Sequence, residues 1–153
     1  MSKNPKNSHI NSPGFIASNG TVLVVDDEPV VRAMTSAVLS AMGWNILNAS
    51  SGEEAVIKLQ HYKENGSLLD LVILDLILPC GMSGLEVVQA LREVQPGLRI
   101  LACSGFFSDQ GGDSCMAMGF NAALAKPFTA EDLSQAVYRC THESEVALET
   151  SAA

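Results

Sequence analysis

No apolar run in this chain approaches the roughly 18 residues that a membrane-spanning helix requires. The amino terminus also lacks the charged-then-apolar pattern of a secretory leader, so a cytoplasmic protein with no membrane contact is expected. Charge is scarce, at 17% of residues, while the hydrophobic fraction of 47% is ordinary for a soluble globular chain. Cysteines are few and far apart. Cys80, Cys103, Cys115 and Cys140 form no C-x-x-C pair, which argues against a zinc or redox motif and leaves free thiols in a reducing compartment. Net positive charge is missing as well. A net charge of −8 argues against a nucleic-acid-binding surface. Residues 1–20 hold Lys3 and Lys6 and no acid, whereas residues 143–153 hold Glu143, Glu145 and Glu149 and no base. The part between them is therefore itself acidic.

What is present is an alternating pattern. With 153 residues there is enough chain for one domain with a proper core. Residues 1–20, rich in Ser, Asn, Pro and Gly, read as a flexible tail. Residues 143–153 read as a second tail that extends a helix briefly, which leaves one domain at 21–142. Short apolar runs at 21–25, 45–49, 71–74, 99–103 and 122–125 read as strands. Helical periods lie between them. Val31, Met34, Val38 and Met42 line one face of a first helix, with Pro29 in its first turn and Gly43 at its exit. Ser51 caps a second helix with Ala55, Leu59 and Tyr62 inward. Leu85, Val88 and Leu91 mark a third, stopped before Pro96. A short fourth is expected at about 113–118. Thr129 and Asp132 open a fifth that carries Leu133, Ala136, Val137 and Cys140. Five such units predict an α/β fold: a doubly wound, five-stranded parallel sheet in the order 2-1-3-4-5.

In sheets of this kind ligands bind at the carboxyl ends of the strands, beside the reversal of strand order. The first strand runs into Asp26, Asp27 and Glu28. The third ends in Asp75, the fourth in Ser104 and the fifth in Lys126 and Pro127. Carboxylates grouped without a cation raise one another's pKa values. A hard divalent ion relieves this, and Mg2+ favours a few carboxylates together with water and phosphate oxygens. A carboxylate beside Mg2+ can act as a nucleophile toward phosphorus, with Lys126 and Ser104 of the right type to hold the transferred oxygens. Glu28 reads as a helix-start charge. His9, His61 and His142 read as surface residues, and Trp44 as packing.

The segments "VVDDEP", "VILDLILP", "ACSG" and "AKPF", in this order and near these spacings, resemble the receiver domain of two-component response regulators. The resemblance covers roughly residues 20–142 and implies a flavodoxin-like receiver fold. It implies Asp75 as phosphoacceptor, Asp26 and Asp27 as the acidic pair, the backbone carbonyl of Ile77 as a further metal ligand, and Ser104 and Lys126 as the switch hydroxyl and the phosphate-binding lysine. The Lys126–Pro127 bond is often cis in this family. The implied function is acceptance of a phosphoryl group from a histidine kinase or histidine phosphotransfer protein, with Mg2+, and signalling through contacts with a further protein as a monomer or weak dimer. It is not that of an enzyme acting on other substrates. "ACSGFF" and "LAKPF" also resemble receivers joined to hybrid histidine kinases, so a stand-alone receiver and one from such a kinase both fit.

The chain departs from the family pattern at three places. Ala123 stands where an aromatic residue usually switches inward, and Phe106 or Phe107 is the candidate replacement reporter. The loop after Asp75 carries one extra residue between Pro79 and Gly84, which predicts a bulge turned by Gly81. Ile77 and Phe106 cannot position a water, which predicts slow autodephosphorylation. Three alternatives stand beside this reading. An acid-phosphatase-like hydrolase would want an Asp where Ile77 stands. A nucleotide- or flavin-binding module would want a glycine-rich loop after the first strand. A phosphorylation-independent receiver-like interaction module is kept open by Ala123.

Overall fold

A computed structural model of the protein describes residues 19–105 and 119–150, the last eight through their backbone alone. Strands β1 (Gly20–Val25), β2 (Trp44–Ala49), β3 (Leu71–Asp75), β4 (Ile100–Ser104) and β5 (Ala122–Ala125) form one parallel sheet. Their order is β2-β1-β3-β4-β5, as expected from the sequence. Among the described residues there are four helices: α1 (Pro29–Ala41), α2 (Gly52–Glu64), α3 (Gly84–Val94) and a final helix, α4 (Ala130–Thr150). The short helix expected at about 113–118 lies outside the described residues, as do His9, Phe106, Phe107 and Cys115.

The β-strand period of two splits the apolar residues between two layers. Leu23, Val25, Val72, Leu74, Ile100 and Ala102 face α2 and α3, with Ala55, Leu59, Val87, Val88 and Leu91 opposite. Val22, Val24, Leu71, Ile73, Leu101 and Cys103 face α1 and α4, where Leu39, Leu133, Ala136, Val137 and Cys140 meet them. Both faces of the sheet are thus covered, which is why the central strands are apolar at successive positions rather than at alternate ones. Trp44 is buried in the second layer.

Local signals set the helix ends. Pro29 starts α1, and Gly43, at φ 92°, turns the chain out of it where a residue with a Cβ would be strained. The Ser51 hydroxyl accepts from the Glu54 N–H to cap α2, and the Ser83 hydroxyl accepts from the Glu86 N–H to cap α3. At α4 the Thr129 N–H donates to Asp132 while the Asp132 N–H donates to Thr129, a reciprocal capping box. Two expected faces are corrected. Met34 is 65% exposed, and α1 buries Thr35 and Leu39 instead, with Val38 and Met42 packed at the margin. Leu85 is 45% exposed, and α3 buries Val87 beside Val88 and Leu91.

Candidate functional site

Strand register brings the chemistry together. Val25 is paired with Leu74, so Asp26 and Asp75 come next, side by side. Asp75 is paired with Cys103, and Ser104 with Ala125, so Ser104 and Lys126 fall at the same sheet edge. Asp26, Asp75 and Lys126 also share the pleat parity of the layer facing α1 and α4, which aims their side chains at one another. Lys126 Nζ donates to Asp26 Oδ2 at 2.8 Å and to Asp75 Oδ2 at 3.1 Å, linking residues 100 and 51 positions apart. The Lys126–Pro127 bond is cis.

The two aspartates are held on their other oxygens as well. Asp26 Oδ1 accepts from the Glu28 N–H at 2.9 Å, and Asp75 Oδ1 accepts from the Ile77 N–H at 3.0 Å. The backbone of Asp26 is fixed twice more: its N–H donates to the Ala49 carbonyl, and its carbonyl accepts from Arg32 Nη1 at 2.6 Å. Asp26, Asp75 and Ser104 are buried, and Asp27 is half-buried. Carboxylate oxygens of Asp26, Asp27 and Asp75 lie within 4.8 Å of one another. An all-oxygen donor set of this size and charge suits a hard divalent cation rather than a thiophilic one.

The electrostatics arise from burial and proximity. Burial pushes the Asp75 carboxyl above its ordinary value. The Ile77 N–H and the Lys126 ammonium oppose that rise, and the Asp26 charge adds to it. Burial works to lower the Lys126 pKa, but hydrogen bonds and charges from Asp26 and Asp75 outweigh it and hold the ammonium above its usual range. Cys103, beneath the site, is pushed up to about 12 by burial, so it is a neutral packing thiol and not a nucleophile.

Every side chain of this cluster was legible in the sequence except Arg32, whose one signal was a cation in the first turns of the helix after the acids. The Ile77 N–H donates to Asp75, and the Ile77 side chain is 45% exposed. Gly81 has φ 80° in the loop after β3, as the extra residue required. Ala123 packs, partly buried, against the layer facing α2 and α3.

A doubly wound sheet with an aspartate cluster bridged by a lysine at its switch point defines a class: CheY-like receivers of the flavodoxin fold. The chain belongs to the response regulator receiver domain family, whose model it matches over residues 22–138. It is similar to the probable transcriptional regulatory protein TcrX of Mycobacterium tuberculosis, with 37% identity across 74% of this chain and 46% of the relative. The sensor kinase CckA of Brucella abortus is 30% identical across 80% of this chain and 12% of the kinase. The chain thus spans less than half the length of these curated relatives. Among solved structures, the chemotaxis protein CheY4 of Vibrio cholerae superposes with a TM-score of 0.69 at 31% identity, over 81% of this chain and 99% of that one. The CheX–CheY–BeF3–Mg2+ complex of Borrelia burgdorferi gives a TM-score of 0.69 at 28% identity, over 78% of this chain and 87% of that one. No helix among the described residues is long and apolar enough to cross a membrane.

Proposed function

We propose that this receiver accepts a phosphoryl group on Asp75 from a phosphohistidine of a histidine kinase or histidine phosphotransfer protein. The observation that carries the reading is the Lys126 ammonium bridging Asp26 and Asp75, because it sets a fixed cation beside the one carboxylate at the centre of the cluster. In the transfer an Asp75 oxygen attacks phosphorus and a P–O bond forms. The P–N bond breaks, and its electron pair stays on the imidazole nitrogen of the donor. Lys126 and Ser104 hold the phosphoryl oxygens, one by charge and one by hydrogen bond. Asp26, Asp27, Asp75 and the backbone carbonyl of Ile77 would hold Mg2+, which when bound neutralises the carboxylates and the phosphoryl oxygens. The Borrelia CheY structure, which contains BeF3 and Mg2+, supports this assignment.

The chain is then an acceptor and not an enzyme with a separate substrate. Its own chemistry is phosphorylation and slow hydrolysis of the acyl phosphate. The modification shifts a two-state equilibrium that a further protein reads. Ala123 favours a second reading, an interaction module that works without phosphorylation, because alanine has no rotamer to couple to the site. One experiment separates the two. The protein is incubated with phosphoramidate and Mg2+ and weighed intact. A gain of one phosphoryl mass, absent from Asp75→Asn and absent with chelator, is the expected result. An unmodified wild type favours the second reading. Following the modified sample over time tests the slow decay, and a lifetime as short as that of the fastest receivers rejects it.

A further inference from the structure

The loop after β3 is pinned from outside by a residue that the site does not otherwise use. Its two ends close on each other: a Cβ on Gly84 would lie 3.3 Å from the Leu76 Cα and carbonyl oxygen. Between these ends, the stretch 78–82 makes one hydrogen bond to the rest of the described protein. The Met82 N–H donates to Glu53 Oε1 at 2.9 Å. Glu53 stands in the first turn of α2, where a carboxylate is favoured by the helix dipole. Gly81 fits the same contact. Its φ of 80° turns the chain, and a Cβ there would fall 2.2 Å from Glu53 Oε1. The extra residue of the loop thus creates the turn that presents the Met82 N–H to Glu53.

From this geometry we infer that Glu53 is a positioning residue for the phosphoacceptor site. It fixes the loop whose residue Ile77 donates its N–H to Asp75 Oδ1 and, on the assignment above, would offer its carbonyl to the cation. The inference rests on the Mg2+ assignment made above. Freed of Glu53, the loop samples more conformations, and the Ile77 carbonyl spends less time in place. The cost falls on cation affinity and not on the chemistry at saturating cation.

Mg2+ affinity is measured by isothermal titration calorimetry on the full chain, together with the Mg2+ dependence of phosphoramidate labelling. Glu53→Ala should weaken Mg2+ binding at least threefold and leave the labelling rate at saturating Mg2+ within twofold. Two conservative variants separate position from charge. Glu53→Gln keeps an acceptor of the same reach without the charge and should bind like the wild type. Glu53→Asp keeps the charge but loses the reach and should behave like the alanine variant. Equal weakening by Gln and Ala would assign the effect to charge and overturn the inference, as would unchanged affinity in Glu53→Ala. A wild type that binds no Mg2+ would instead overturn the metal assignment, and this inference with it.

Discussion

At the scale of single residues the site is a balance of burial against charge. Two buried carboxylates lie close enough to repel, and Lys126 is their counter-ion, with its own side chain 19% exposed. Such a pair adds little net stability compared with an apolar replacement of both partners, but removing one partner strands the other. Lys126→Met should therefore destabilise the Mg2+-free protein by about 1–3 kcal/mol at neutral pH. The pH dependence of that defect has a definite sign. Asp75 is already raised by burial, and without the ammonium it rises further. A carboxyl whose folded pKa exceeds its unfolded value costs stability as pH rises through the folded value, and costs nothing below the unfolded one. The difference in urea midpoint between wild type and variant should shrink from pH 7 toward pH 4. Equal midpoints at pH 7 would show that Lys126 does not compensate these acids.

At the scale of elements, the start of α2 shows how a cap and a pair of charges cooperate. Glu54 accepts from the Ser50 N–H and hydroxyl and pairs with Lys58 at 3.0 Å, while its own N–H donates to Ser51. The Ser50 N–H above all, then the Ser50 hydroxyl and Lys58, lower the Glu54 carboxyl from 4.5 to about 2. A depressed carboxylate contributes stability above its unfolded pKa, and that contribution is lost as pH falls from 4.5 toward 2. The side chain is 39% exposed, so solvent screening limits the effect to less than about 1 kcal/mol. Glu54→Gln should melt lower than wild type at pH 7 and match it near pH 2. A constant gap across that range would show that the carboxylate charge contributes nothing. This cap was legible in the sequence because Ser51 precedes a periodic apolar run. The face of α1 was less so. The stripe through Val31, Met34 and Val38 lies one position away from the Thr35–Leu39 face that packs on the sheet, and threonine carries no apolar signal. The Glu53–Met82 tie could not be read at all. A side chain that meets a backbone N–H 29 positions away leaves no periodic trace.

At the scale of the whole molecule, fold and site were legible for one reason. In a parallel sheet every strand delivers its last residue to the same edge, so the residues just past the strand ends spell out the site. The same arrangement concentrates acid. The chain carries a net charge of −8, and the three aspartates stand at the edge where the strands converge. A cation that binds the folded form alone should therefore stabilise the whole domain by linkage. Mg2+ at a hundred times its dissociation constant should add about 2.7 kcal/mol. For a chain of this size that corresponds to a rise in Tm of about 5–10 °C. Asp27→Asn, which removes one carboxylate of the cluster at a half-buried position, should lose most of the rise while folding normally without Mg2+. The control is NaCl at matched ionic strength, which screens the general repulsion of an acidic surface but cannot bridge three carboxylates. If NaCl raised Tm as far as Mg2+ does, the stabilisation would belong to the net charge of the surface, and the aspartate cluster would not be a cation site.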